Sequence, residues 1–330
     1  MSDDMITSYP VGSLVSVAMA TYNGEKFVKE QIESVLNQSY HDIELVIGDD
    51  CSTDNTFQII KEFGLRDDRI RFFQNSVNLG FLKNFEKIIT QCKGKYIALC
   101  DQDDIWYPNH IDRLLQPFSD KEVLLSGANA QVVGADNKEL GFSVLDMLNV
   151  KSIPRTEQEF SFFLLHRNLF QGAASIIDCR LLQYALPIPH GVFFHDWWFS
   201  LCATAYGSVA YSDECVLNYR QHGSNQTENK SFQVVKRIVN FFQEGKDAKE
   251  KNDVLRLNEM LQSFLNTFCA KSGCRHDMQV VRDAISYYKN YDHFSSFPYF
   301  LRHYNCIYRN TNFFIKILRV IKRLLYIIRN

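Results

Sequence analysis

The chain has 330 residues, 46% of them apolar and 22% charged, which is enough to build a large globular core and too apolar for a disordered chain. A formal net charge of −2 argues against an extended nucleic-acid surface. Nine cysteines without a Cys-x-x-Cys pair suit free thiols in a reducing cytoplasm better than a paired framework.

Strands and helices alternate from residue 14 to about 135. Leu14–Ala20 is an apolar first strand that breaks at Thr21-Tyr22-Asn23-Gly24, which is turn chemistry. Val28, Ile32, Val35 and Leu36 then recur at helical spacing. Ile43–Gly48 is a second strand ending in Asp49-Asp50, and Ser52-Thr53-Asp54 opens a helix that turns Phe57 and Ile60 inward. A third strand at Ile70–Phe73 leads to a helix with Phe81, Phe85, Ile88, Ile89 and Cys92 on one face. Tyr96–Cys100 is a fourth strand, short and apolar, and it runs directly into Asp101-Gln102-Asp103-Asp104. Pro108 opens a helix carrying Ile111, Leu114, Leu115 and Phe118.

From 121 to 222 the pattern is mixed. Val123–Ser126, Ala173–Ile177, Val209–Tyr211 and Val216–Tyr219 read as strands, Phe193-Phe194 as a buried lead-in strand, and Asp196–Tyr206 as a helix. From about 231 onward only helical patterns are convincing. Repeated strand–helix units predict a mostly parallel central sheet with helices on both faces, an α/β fold, followed by a helical C-terminal extension. Ligands of such sheets collect at the carboxyl ends of strands, where Asp49, Asp50, Asp101, Asp103 and Asp104 all fall.

Four clusters carry chemistry. Three carboxylates within four residues at the end of a buried strand repel one another, and a divalent cation shared with substrate phosphates would relieve them. Asp50 can accept a hydrogen bond from a base imide, while Ser52 and Asp54 read as helix caps. In His195-Asp196-Trp197-Trp198, an acid among aromatic rings suits a general base, and tryptophan faces suit sugars; the bland alternative is a helix cap beside core tryptophans. In Tyr219-Arg220-Gln221-His222, the guanidinium suits phosphate oxygens and the imidazole a divalent metal; by itself a lone histidine is more often a surface or core residue.

Residues 313–328 form a basic amphipathic pattern, with Phe314, Ile317, Val320, Ile321, Leu324 and Ile328 opposite Lys316, Arg319, Lys322 and Arg323. This suits an anionic membrane surface, or else packing on the domain or on the second subunit of a homodimer. No run is apolar enough to span a bilayer, and Met1–Met5 is not the start of a secretory signal.

On these residues the chain resembles the family 2 inverting glycosyltransferases with the GT-A fold. The resemblance runs from about 13 to 225. It rests on Val15-Ser16-Val17 before Ala20-Thr21-Tyr22-Asn23, on Glu30 through Gln38-Ser39-Tyr40, on Asp49–Thr56, and on Asp101-Gln102-Asp103-Asp104. With His195–Trp198 and Arg220–Gly223 it is similar to the rhamnosyltransferase-like branch that builds bacterial surface polysaccharides such as O-antigen.

The resemblance implies a GT-A domain over 1–225 and a helical region over 226–330. It implies a nucleotide-sugar donor (dTDP- or UDP-linked) held by Ala20, Thr21, Tyr22, Asp50, Asp101, Gln102 and Arg220. Mn²⁺ or Mg²⁺ would sit at Asp103 and His222, Asp196 would be the catalytic base, and Trp197 and Trp198 would meet a glycan or polyprenyl-linked acceptor. His195 stands where the family usually has an acid. A cytoplasmic enzyme, peripheral on the inner membrane face, is the expected setting. Two other readings use the same residue types: a nucleotidyltransferase, whose Gly-rich basic loop after the first strand is missing here, and a non-catalytic carbohydrate-binding protein, which would need no cluster of three acids.

Overall fold

A computed structural model describes residues 12–222, 245–268, 273–290, 296 and 298–302. The first half alternates as expected: β1 (Val15–Thr21), α1 (Val28–Leu36), β2 (Ile43–Asp49), α2 (Thr56–Gly64), β3 (Ile70–Gln74), α3 (Phe81–Ile89) and β4 (Tyr96–Asp101). A short β5 (Ile105–Trp106), α4 (His110–Leu115), β6 (Val123–Gly134), β7 (Glu139–Ser143), α5 (Val144–Met147) and α6 (Glu157–Leu164) follow. Then come β8 (Ser175–Asp178), α7 (Leu182–Ala185), α8 (His195–Tyr206), β9 (Ser208–Gln221), α9 (Gly245–Phe268) and α10 (Met278–Lys289).

The strands form one sheet in the order β3-β2-β1-β4-β8-β6-β9-β5, with β7 beside β6. β1 to β4 pair in parallel, and β8 runs against both β4 and β6. Because β9 is parallel to β6, six strands share one direction while β5, β7 and β8 oppose them.

Strands covered on both faces read as continuous apolar runs rather than alternating ones, and β1, β2 and β4 do so here. Along β1, Val15, Val17 and Met19 enter the core under α1 and α4, while Ala18 enters the opposite core under α3 and α8. Along β4, Ile97 and Leu99 join the α3 and α8 side, and Ala98 and Cys100 the other. The helical periods hold for the same reason: Ile32 and Val35 of α1, Ile88 of α3, and Ile111 and Leu115 of α4 are all fully buried.

The second half departs from the sequence reading in three places. The segments at 209–211 and 216–219 are one strand, β9, of 14 residues. Its exposed middle (Ser212-Asp213-Glu214) hides the continuity, and register shifts against β6 absorb the irregularity. β6 continues past Ser126 to Gly134 because β9 keeps pairing with it. Phe193-Phe194 forms no strand; the two residues lead as an irregular segment into α8, their rings 4.9 Å apart.

The described C-terminal elements are helices: α9 docks on α8, and α10 packs on α9. Trp198 is fully buried, donates its indole N–H to Ala185 O at 2.8 Å, and packs on Phe264 and Phe268 of α9. None of the helices among the described residues is long and apolar enough to cross a membrane. Residues 313–328 and Gly223 lie outside the described residues. Removing the Trp198 ring would leave a large void between α8 and α9. Trp198→Ala is expected to cost about 3–5 kcal/mol, read as a lower midpoint in urea unfolding.

Candidate functional site

Register creates the site. Pairing sets Ala20 opposite Asp101 and Thr21 opposite Asp49, so the carboxyl ends of β2, β1 and β4 finish at one level. Chain that leaves the three ends lines a cavity of about 440 Å³, walled by Ala20, Thr21, Tyr22, Asp50, Asp101, Gln102 and Asp103 on this side. The opposite wall comes from α3 (Phe81, Phe85), the segment Asn168–Ala173, and the start of α8 (His195, Asp196, Trp197).

The acids divide into those the fold neutralises with its own donors and those it leaves facing the cavity. Asp49 accepts from Thr21 Oγ1, Ser52 N, Ser52 Oγ and Gln74 Nε2, which makes it a brace between strand ends. Neither Ser52 nor Asp54 is the N-cap of α2, which is Asn55 with no side-chain cap: Asp54, one position earlier, accepts from Thr56 N and Glu25 N, and the Ser52 hydroxyl accepts from Asn23 N and donates to Asp49 instead. Asp50 accepts from Asn75 Nδ2 at 2.8 Å, Leu79 N at 2.8 Å and Gly80 N at 2.9 Å, and it still reaches the cavity wall. Asp104 is buried behind the wall. Burial, then Asp103 and Asp101, push its carboxyl well up, and its Oδ1 accepts from Arg220 N.

Asp101 and Asp196 face each other across the cavity. Loss of hydration, then the charges of Asp103 and Asp196, lift Asp101 to about 7. Asp196 is lifted to about 6 by burial, against the pull of donors at Trp197 N (2.7 Å), the Asn168 side chain and Gly172 N (3.2 Å). Carboxyls raised in this way inside a cleft mark groups poised to exchange protons near neutrality.

Gln102 has a positioning task. Its amide accepts from Tyr22 N at 2.9 Å and donates to Tyr22 O at 3.1 Å, tying the loop after β1 to the loop after β4. A Cβ on Gly24 would collide with this amide, which accounts for the glycine.

Not every expected residue reaches the cavity. The Arg220 guanidinium lies under the wall, over the Phe27 ring at 4.8 Å, bonded to Glu30 at 2.5 Å and to Ala135 O at 3.1 Å. His222 also stands outside the lining, stacked on Phe27 at 4.5 Å, but its Nε2 meets Asp103 Oδ2 at 2.8 Å. Trp197 lines the cavity, with its indole N–H held by Leu164 O. Trp198 does not: it points into the core, because successive helical positions diverge by about 100°. Asn168, Gln171 and Gly172 were missed. Their only sequence signal is two polar residues and a glycine set among the apolar Leu169, Phe170 and Ala173.

Among the described residues, no group of three or more His, Cys, Asp or Glu side chains forms a complete metal cage. The donor set fits a shared cation nonetheless. Among the described residues, the cavity wall contains Asp50, Asp101, Asp103 and Asp196 and neither lysine nor arginine, so these residues themselves offer a diphosphate no positive charge. Mg²⁺-type sites use one or two carboxylates and take the remaining ligands from phosphate and water.

Residues 16–182 match the sequence profile described as Glycosyl transferase family 2. Similar proteins include an uncharacterized glycosyltransferase of Haemophilus influenzae, 27% identical over 76% of this chain and 84% of that protein. A putative teichuronic acid biosynthesis glycosyltransferase of Bacillus subtilis, TuaG, is 25% identical over 66% and 82%. The dTDP-rhamnosyl transferase RfbG of Shigella flexneri is 30% identical over 63% and 73%. Among solved structures, Staphylococcus aureus TarS in complex with UDP aligns with a TM-score of 0.54 at 18% identity, over 85% of this chain and 72% of that one. A Pyrobaculum calidifontis mannosyltransferase in complex with GDP-Man and Mn²⁺ aligns with a TM-score of 0.54 at 11% identity, over 97% and 88%. These likenesses bear out the expected GT-A type of fold.

Asp50 ties the segment after β3 to the cavity rim. Asp50→Ala should strip three donors of their acceptor and destabilise the nucleotide-free protein by about 1–3 kcal/mol in urea unfolding.

Proposed function

Since the chain belongs to glycosyl transferase family 2, we propose that it is a metal-dependent, inverting enzyme moving a sugar from a nucleoside diphosphate to a glycan or polyprenyl-linked acceptor during bacterial surface polysaccharide synthesis. Rhamnose from a dTDP donor is the favoured sugar, supported by the likeness to the Shigella dTDP-rhamnosyl transferase. The Bacillus relative named for teichuronic acid biosynthesis supports a cell-surface polymer as product. The basic amphipathic pattern of 313–328 favours an acceptor displayed at a membrane surface.

One observation carries the chemistry: an acid raised to about 6, on a helix start, across a cavity from the acids that end β4. Ala20, Thr21 and Tyr22 line the half of the cavity assigned to the nucleotide, with Asp50 at its edge as partner for a base N–H. Asp101 and Asp103 would hold Mn²⁺ or Mg²⁺, with His222 orienting Asp103. Such a cation, when bound, offsets the charge of the diphosphate leaving group.

Asp196 acts on the acceptor. Its carboxylate takes the proton of an acceptor hydroxyl as that oxygen bonds to the anomeric carbon. The bond from that carbon to the diphosphate breaks, and the leaving group departs with the electron pair on the face opposite the attack. Gly172 N and Asn168 fix the carboxylate's orientation, so it is in place before the acceptor arrives. Trp197 offers the acceptor an apolar rim.

Asp196→Asn should lower kcat by about 10²–10⁴-fold while nucleotide-sugar affinity in calorimetry stays within about twofold. Full activity would remove Asp196 from the role. A base must be ionised, so the rate should fall as pH drops below about 6. Asn168→Ala removes a donor that holds the carboxyl down, and it should move that limb of the pH profile upward. For the metal, EDTA should stop turnover and Mn²⁺ or Mg²⁺ restore it; indifference to chelation would contradict the role given to Asp101 and Asp103.

A further inference from the structure

Asp196 takes its setting from the stretch of chain that follows α6. Trp197, the next residue, donates its indole N–H to Leu164 O at 2.7 Å, and the Asn168 side chain and Gly172 N both donate to the Asp196 carboxyl. Asn168 is folded back on its own backbone, with Oδ1 accepting from Phe170 N at 3.1 Å, which leaves the amide nitrogen for the acid. Residues 167–171 belong to no helix or strand, so no ladder of backbone bonds fixes these donors. Segments of that kind open easily unless side chains pin them.

One pin comes from much later in the chain. His166 is 5% exposed, and both ring nitrogens meet tyrosine hydroxyls: Nδ1 lies 2.7 Å from Tyr288 Oη of α10, and Nε2 lies 3.3 Å from Tyr299 Oη. A hydroxyl can donate or accept, so these partners satisfy either tautomer. A buried imidazole needs partners for both nitrogens, a demand that an aliphatic side chain would not make. Here the partners stand 122 and 133 positions further along the chain. The Tyr287 ring stacks on that of Tyr299 at 4.9 Å. α10 is tied in turn to α9, where Asn258 Nδ2 donates to Ile285 O, and α9 packs Phe264 and Phe268 on Trp198 of α8. The contacts close a circuit from α8 through α9 and α10 to His166, and from there through Asn168 back to the start of α8. On the other side, the Arg167 guanidinium donates to Leu148 O in the cavity wall.

We propose that Tyr288 and Tyr299 are positioning residues for sugar transfer: by clamping His166 they hold Asn168 and Gly172 against Asp196, so that the C-terminal helices set the angle of the base. This rests on the base role given to Asp196. It gives a task in catalysis to helices that lie beyond residues 16–182, the stretch matched by the family profile.

Tyr288→Phe and Tyr299→Phe, made in the full chain, keep the rings and remove the hydroxyls. Hydrogen exchange of the ligand-free proteins is followed by mass spectrometry. Peptides over 165–175, which contain the Phe170 and Gly172 amides, should exchange roughly 3- to 10-fold faster in Tyr288→Phe, while those of β1 and β4 keep the wild-type rate. Turnover is read with Mn²⁺ as release of free nucleoside diphosphate from dTDP-rhamnose, UDP-GlcNAc or GDP-mannose, whichever the wild type accepts. Tyr288→Phe should lower kcat roughly 3- to 10-fold with the donor KM within about twofold of wild type. In an Asn168→Ala background the same change should cost less than about twofold more, because the path to Asp196 is already cut. Rescue separates the two hydroxyls from mere bulk: His166→Gln, which still donates and accepts, should retain more activity than His166→Leu. Unchanged exchange at 165–175 overturns the proposal. So does exchange that rises everywhere with kcat and donor binding falling together, which would make the clamp structural, and so does a loss that multiplies with that of Asn168→Ala. Asp196→Asn turning over at the wild-type rate, or a wild type that turns over none of the three donors, would instead sink the base reading itself, and this inference with it.

Discussion

Negative charge gathered at the carboxyl ends of β2, β1 and β4, with no lysine or arginine among the described residues of the cavity wall, is the constraint on which the rest of the molecule depends. Loss of hydration, joined at Asp101 by the charges of Asp103 and Asp196, pushes Asp101 to about 7, and burial lifts Asp196 to about 6. The protein resolves this differently at each acid. Asp49 is satisfied by neutral donors and acts as a brace, Asp50 accepts from three donors and still reaches the cavity edge, Asp104 is withdrawn behind the wall, and Asp101, Asp103 and Asp196 are left facing the cavity.

The framework around these acids is built from uncharged clamps. Gln102 grips both backbone polar groups of Tyr22, and Asn168 with Gly172 N sets the angle of Asp196. β9 reaches the same loop from the far side, through Arg220 N to Asp104 and His222 to Asp103. Strands that are remote in sequence thus fix the loop after β4 from both sides. The aromatic layer beneath α8 adds rigidity: Trp198 joins the C-terminal helices to the same core that carries the His195 ring. A carboxyl on a helix packed this firmly can be oriented more closely than one on a free loop.

Much of this was legible in the residues themselves, and the reasons are local. Strands covered on both faces must be continuously apolar, so β1, β2 and β4 announced themselves, and helical spacing placed α1, α3 and α4. Acids directly after such strands had to lie at carboxyl ends, which located one side of the cavity. β9 was less legible, because its exposed middle interrupts the apolar pattern while pairing with β6 continues beneath it.

Sequence alone therefore determined the alternating architecture and the edge of the sheet at which the acids gather, because apolar periodicity and strand polarity are properties of neighbouring residues. Tertiary structure decided which of those acids face the cavity. It also turned Trp197 toward the cavity and Trp198 into the core, drew Arg220 to Glu30, and brought Asn168 and Gly172 to Asp196. Those outcomes depend on side-chain direction and on partners from distant parts of the chain, such as the 190 positions between Glu30 and Arg220, and no local pattern encodes them.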